Sequence, residues 1–443
     1  MSFLYILVIA LIALLFLAYI LSGRDVLSPS VTMVLMFILG TLFTIPNIES
    51  WKIDYSIEAG LLTISGILVF ICVECFSRVL SVSQKNRLDV HQSVADGLTP
   101  IPIRTTKLLL LISLNALILL IYFLKIRAIV GGGDIAAMFQ KYRYLGIDKL
   151  AGKNVETVGG WINYFLKIVE ASGFISGYIL LRNLICKSRA TSRIGLLLLL
   201  VMSILPNTFG AGRTQLLKLM SALIIYYYIL WHQKNGWDKI LTFKIVSIGV
   251  SSLLVGIPTF YYSLKLLGRE TARGIFDYAA DYLGSGIVLF SEYVKNPVPR
   301  DVWGEESLYS VVKILHFLGL SEPATSYNME FRRLGMGYSN VYSFFRRPLH
   351  DFGVLGMYIF VGCIAIFFAY MYYRKIKENT NLNSTTYWTL VYGYFFYWII
   401  SSPIIQYSVA YVSVGTVTFL FILLLLFDFL TKDRIKLKLG GLK

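Results

Sequence analysis

Two pairs of adjacent arginines, Arg332 with Arg333 and Arg346 with Arg347, and a His350-Asp351 dipeptide fall within one short stretch, Met329 to Gly356, that runs straight into a long apolar segment. Guanidinium grips phosphate or carboxylate oxygens through two parallel hydrogen bonds, and imidazole exchanges protons near neutral pH. At the mouth of an apolar segment, these residue types suit an anionic, lipid-borne ligand, with His350 and Asp351 as candidate acid-base groups. A second constellation is Leu205-Pro-Asn-Thr-Phe-Gly-Ala-Gly-Arg-Thr-Gln215. A helix opening at Thr214 offers unpaired backbone N–H groups, the glycines let an anion approach them, and Arg213 adds a full charge. That is a seat for a diphosphate, or with equal weight a tight turn carrying an interfacial arginine.

The elements that must position these residues are apolar helices. The 443 residues are 56% hydrophobic and 15% charged, and apolar runs of about 20 residues recur along the chain, which marks an all-α, polytopic membrane protein. Eleven runs are long enough to span: Phe3–Leu21, Val26–Ile45, Ile57–Leu80, Lys107–Phe123, Trp161–Leu184, Ile194–Phe209, Thr214–Trp231, Ile240–Leu264, Phe352–Tyr373, Thr386–Ile404 and Ser408–Leu430. The first has no basic residue before it and no Ala-x-Ala-like cleavage site after it, so it reads as a retained helix. The net charge of +16 falls largely in short loops, where it sets orientation, and nucleic acid is not the expected partner. Cys72, Cys75, Cys186 and Cys363 lie in or beside apolar runs, and neither a disulfide framework nor a metal site follows from their spacing. No pair of self-similar halves of the transporter kind is visible.

Alternate loops carry the basic residues, and the positive-inside rule makes those loops cytoplasmic. Two long connections, residues 125–160 and 265–351, are then outside, dividing the chain into helices over residues 1–264, a large outer loop over 265–351, and a closing helical block with a basic tail over 352–443. Between Lys265 and His350 stand ten basic and nine acidic residues. Seven of the ten are arginine: Arg269, Arg273, Arg300, Arg332, Arg333, Arg346 and Arg347. Taken singly, each suits headgroup anchoring or pairing with Glu270, Asp277, Asp301 or Glu330; taken together they suit ligand binding. Residues Phe276–Val294 have helical spacing, for a helix in the membrane interface or one packed under the loop. Glu74 is the one acid expected well inside a span, near enough to its inner end to meet water.

Many spans, the Gly212-Arg213-Thr214 turn opening a mid-chain helix, a large late loop, and Asn340-Val-Tyr-Ser followed by His350-Asp-Phe-Gly-Val-Leu-Gly356 together resemble the Wzy-type polymerases of O-antigen and capsule synthesis. These are similar in plan to the O-antigen ligases. The resemblance implies a GT-C-like fold in the bacterial cytoplasmic membrane, with its active site facing outside. It implies polymerisation of oligosaccharide repeat units carried on undecaprenyl diphosphate, alongside a flippase and a chain-length regulator of the same pathway. On this pattern Arg213 and the loop arginines steady the leaving diphosphate, His350 or Asp351 takes the acceptor proton, and Tyr338, Asn340 and Tyr342, with Trp303 and Tyr309, are candidates for reading the sugar. An aspartate follows His350 where the ligase motif often has asparagine, so the acid-base role stays open between the two. No Asp-x-Asp pair stands on the outer face, and a metal-independent, inverting transferase without a cofactor is expected. A ligase and a polysaccharide flippase are the competing readings.

Overall fold

The computed structural model describes residues 3–81, 98–150, 153–188, 192–210, 212–239, 242–266, 274–300, 302–323, 329–335 and 337–432. Arg269 and Arg273, expected to bind the anion, lie outside the described residues. Within a bilayer every backbone N–H and C=O must be satisfied inside the segment, so the apolar runs form helices. Among the described residues, nine helices are long and apolar enough to cross a membrane: Phe3–Leu21, Pro29–Asn47, Ile57–Ser81, Thr105–Val130, Gly160–Ile185, Thr214–Asn235, Phe243–Ser263, Arg346–Lys377 and Val414–Thr431. The chain is a multi-pass membrane protein.

Nine is fewer than the expected eleven, and the two shortfalls have local causes. The run expected at Ile194–Phe209 is broken into Arg193–Met202 and Leu205–Phe209, with Pro206 in the first turn of the second piece, where its missing N–H costs nothing. The run near Thr386 does form a helix, Leu382–Ile400, but tyrosine, tryptophan, threonine and asparagine dilute its apolar character. The last run also divides: Ser413 caps a new helix by accepting the Thr416 N–H at 3.2 Å, so the final span starts at Val414 and Ser408–Tyr411 is a separate turn.

The helices at the centre of the bundle are Pro29–Thr44, Ile57–Ser81, Gly160–Ile185, Thr214–Asn235, Arg346–Ala369 and Leu382–Ile400, with Arg346–Ala369 packed along Ile57–Ser81 and Thr214–Asn235 along Leu382–Ile400. The end of the Arg346 helix widens into a π-helix over Tyr370–Lys377, which buries both Tyr372 and Tyr373. Tyr373 donates to Glu74 at 2.8 Å, and Tyr372 and Lys377 reach Asp25 at 2.9 and 2.8 Å. Glu74 is fully buried and also accepts the Ser30 N–H, which corrects the expectation that it meets water. Nor is it alone, since Glu170 stands midway along the Gly160–Ile185 helix beside Lys167 and Lys218.

The connection over residues 125–160 contains a helix of its own, Ile135–Leu150, whose Phe139 stacks on Phe209. In the 265–351 segment, Ile275–Leu283 and Ser285–Lys295 form two successive helices. The second is buried along most of its length against the Pro29–Thr44 and Ile57–Ser81 helices, so this stretch is packed within the protein. A third helix, Tyr309–Phe317, and an antiparallel hairpin pairing Arg332–Leu334 with Gly337–Ser339 complete the segment.

Candidate functional site

The turn before Arg346 is fixed from two sides. The Ser343 N–H bonds the Gly286 carbonyl at 3.0 Å and the Phe344 N–H bonds the Ser402 carbonyl at 2.8 Å, while Phe345 packs between Phe37 and Phe290. From this anchor residues 346–352 run as a short helical stretch, with Pro348 in its first turn. At Gly353 the backbone takes φ 69° and ψ −173°, a conformation that is essentially glycine's own. The chain changes direction there, and the spanning helix proper continues beyond it. Arg346, Arg347, His350 and Asp351 therefore sit on a small platform at the end of a span, all buried.

Three carboxylates meet this platform. Arg346, 0% exposed, donates to Glu306 and Glu330, and its guanidinium lies over the Tyr293 and Tyr342 rings at 4.4 and 5.3 Å. Glu330 also takes a contact from Arg332 at 3.3 Å. The Nδ1 of His350 is 3.2 Å from the Tyr293 hydroxyl, and its Nε2 faces Glu305 Oε1 at 3.7 Å and Glu306 Oε1 at 3.8 Å. Those two distances are in ion-pair range and just beyond a direct hydrogen bond. Burial pushes the Tyr293 phenol above its ordinary proton affinity, Arg346 pulls against that, and Glu306, Glu330 and Asp351 add to the rise. The phenol keeps its proton, the tautomer of the imidazole sets the direction of the hydrogen bond at Nδ1, and the Nε2 edge of the ring faces the two glutamates. A ring edge facing two carboxylates can move a proton on or off a hydroxyl brought between them.

Asp351 is placed differently from its neighbour. Its carboxylate accepts the backbone N–H groups of Glu306, at 3.2 Å, and Ser307, at 2.5 Å, two successive donors forming a small anion nest. Arg300 donates to the Asp351 carbonyl at 2.6 Å and Arg347 to the Glu306 carbonyl at 3.0 Å. Asp351 and Arg347 thus hold the 305–307 turn in place, and that turn supplies the carboxylates. Glu305 and Glu306 were not singled out in the sequence. Their signal there is slight, an acidic pair in Trp303-Gly-Glu-Glu-Ser307.

The remaining candidates are distributed. Arg332 bonds the Glu292 carbonyl at 2.6 Å and the Asn296 carbonyl at 2.5 Å. Arg333, exposed on the hairpin opposite Tyr338, bonds the Gly335 carbonyl. Tyr342 is buried and donates to the Glu330 carbonyl at 3.1 Å, Tyr338 is 73% exposed, and Asn340 is half-buried. Trp303 is exposed and packs on Phe352, with ring centroids 4.7 Å apart, and Tyr309 is half-buried.

Arg213 belongs to a second cluster. It is buried at the start of the Thr214–Asn235 helix and donates to the hydroxyls of Tyr278 and Tyr282, the latter at 3.1 Å, with both rings 5.6 Å from its guanidinium carbon. Burial and the neighbouring Tyr282 raise the Tyr278 phenol to about 12, so it stays protonated. The Asn207 side chain accepts the Gln215 N–H at 3.3 Å and its carbonyl the Gly212 N–H at 2.8 Å, shaping the glycine turn and occupying one helix-terminal donor. Tyr282 ends one loop helix and Tyr293 lies near the end of the next, so the Arg213 and His350 clusters stand at opposite ends of Ser285–Lys295, roughly 16 Å of helix. Among the described residues no group of His, Cys, Asp and Glu could hold a metal ion. The chain matches no protein-family model, no curated protein and no solved structure.

Proposed function

We propose that this protein is a GT-C-like glycosyltransferase that joins oligosaccharide repeat units carried on undecaprenyl diphosphate, working on the outer face of a bacterial cytoplasmic membrane as an O-antigen or capsule polymerase. The observation that carries the reading is His350, with Tyr293 on one ring nitrogen and Glu305 and Glu306 facing the other, set at the end of a membrane-spanning helix. In the reaction, an acceptor sugar hydroxyl gives its proton to the His350 and glutamate unit as its oxygen attacks the anomeric carbon of the donor. The bond from that carbon to the lipid diphosphate breaks, and the diphosphate leaves with the electron pair. Arg213, held by two tyrosine hydroxyls, is the cation assigned to the leaving group. Arg346 is committed to Glu306 and Glu330 and keeps the carboxylates in position.

The test is to incubate the purified protein in lipid with a polyprenyl-diphosphate repeat unit and resolve the glycans by size. A ladder of increasing length is the expected product. A single transfer to a different acceptor would assign a ligase instead. Movement of the lipid-linked glycan across the membrane without new bonds would assign a transporter. The observation favouring that second reading is charge inside the spans: Glu170 beside Lys218, whose ammonium lies 5.5 Å from the Tyr411 ring centre.

A further inference from the structure

The helix Tyr309–Phe317 buries one side chain, Val312, in the protein. Its other apolar residues, Val311, Ile314, Phe317 and Leu318, are exposed, Phe317 by 87% and Leu318 by 60%. At 100° per residue, these four fall on one side of the helix together with half-buried Leu315, while Lys313 and His316 fall on the other. Lys313 turns back over the Tyr309 ring at 5.6 Å. The helix ends in a deliberate cap: Gly319 takes φ 72°, the Leu320 N–H bonds the Leu315 carbonyl at 2.8 Å, and the Gly319 N–H bonds the His316 carbonyl at 2.9 Å. This double closure is a Schellman motif, and it extends the apolar side by Leu320, 71% exposed. A nine-residue helix does not hold itself together in water. This one gains little from packing on the rest of the protein, so its apolar side needs a cover.

Its position identifies the cover. Ser307, two residues before the helix, is hydrogen-bonded to Asp351 at the end of a spanning helix, and two residues of chain reach no more than about 7 Å. Trp303, on the same turn, packs on Phe352. Just beyond, Leu355 and Ile359 lie exposed on the span, where the hydrocarbon meets them. The start of Tyr309–Phe317 is therefore tethered, beside Trp303, to a span whose apolar side chains are exposed.

We propose that Tyr309–Phe317 lies in the plane of the membrane with Val311, Ile314, Phe317, Leu318 and Leu320 inserted into the adjoining leaflet and Lys313 and His316 turned to the headgroups and water. The leaflet is the occupant of this face. The inference rests on the membrane-spanning helices alone and stands or falls independently of glycosyl transfer.

The experiment is spin-label accessibility. In a chain with Cys72, Cys75, Cys186 and Cys363 replaced by alanine, nitroxides are attached one at a time at I314C, F317C, K313C and H316C. The protein is reconstituted as single copies in nanodiscs of phosphatidylethanolamine and phosphatidylglycerol. All four positions are exposed, so labelling leaves the fold intact. Labels at 314 and 317 are expected to collide with oxygen in preference to a water-soluble nickel chelate, and labels at 313 and 316 to show the ratio shifted toward nickel. Equal nickel accessibility at all four positions would place the helix in water and overturn the proposal. Shielding of 314 and 317 from both reagents would show that protein covers the face, and overturns it equally.

Discussion

Replacing Arg346 by methionine removes a side chain with no exposure and two carboxylate partners, yet those partners are not equivalent. Glu330 is 24% exposed and keeps Arg332 at 3.3 Å, whereas Glu306 is 7% exposed and is left facing the His350 ring at 3.8 Å. Removing one member of a buried pair costs about 3–5 kcal/mol, mostly as the penalty of the charge left behind. Arg346→Met should therefore destabilise the protein by that amount, with the lost contacts to the Tyr293 and Tyr342 rings included. Because the stranded charge is on Glu306, adding Glu306→Gln should reduce the loss to about 1–2 kcal/mol, the scale of an ordinary missing hydrogen bond. Adding Glu330→Gln should recover less than about 0.5 kcal/mol, since that carboxylate already has water and Arg332. Unfolding free energies from SDS titration in mixed micelles measure all three variants. Equal rescue by the two glutamine substitutions, or a loss below about 1 kcal/mol for Arg346→Met, would refute the reasoning that Arg346 serves chiefly to neutralise Glu306.

Three further predictions follow from the geometry. His350→Ala should lower glycan laddering by roughly two to four orders of magnitude while binding of the lipid-linked donor is kept; loss of both together would make His350 a positioning residue, and full laddering would remove it from the reaction. Gly353→Ala, at a backbone angle close to glycine-only, should cost on the order of 1–3 kcal/mol in the same titration, and a neutral result would mean that the chain turns elsewhere. Burial pushes the Asp25 carboxyl up, but the Lys377 charge and the hydrogen bonds from Lys377, Tyr228 and Tyr372 pull it lower still, to a net position below its ordinary 3.8. The unfolded chain then takes up this proton first, so the stabilisation is complete above about pH 4 and disappears as the pH falls through the folded value. Asp25→Asn should flatten that part of the acid limb, and an unchanged limb would show the carboxylate to be uninvolved.

What could be read from the sequence was whatever chemistry is local. The Gly212-Arg213-Thr214 turn does open a helix at Thr214, and His350 does stand at the entrance to a span, because turn residues and apolar runs act over a few positions. The partners of these residues were hidden by distance along the chain. Tyr278 and Tyr282 lie more than sixty residues from Arg213, and Glu305 and Glu306 more than forty from His350, and no local pattern ties either set to its partner. Adjacency misled in one place. Asp351 follows His350 directly, yet successive residues on a helical turn point about 100° apart, and its carboxylate turns instead to the 306–307 backbone. The expected eleven spans and the nine found among the described residues differ for a related reason: apolar content shows where a chain can be buried but not where a helix breaks before Pro206, nor how far polar residues thin the apolar character of Leu382–Ile400.

The widened turns at Tyr370–Lys377 bear on how this chain tolerates changes of length. A π-helix closes each ring one residue later than an α-helix, so the segment holds a residue that a regular helix of the same rise would not accommodate. Deleting one residue between Tyr370 and Tyr373 would let the turns relax to the regular form, and the residues after the deletion would stay nearly in phase. The span itself would survive such a loss. Lys377 would keep its place beside Asp25, but regular turns would no longer bring two successive tyrosines to Asp25 and Glu74 together. A one-residue deletion in these eight residues should therefore spare the register of the span and cost the protein a buried tyrosine-to-carboxylate hydrogen bond.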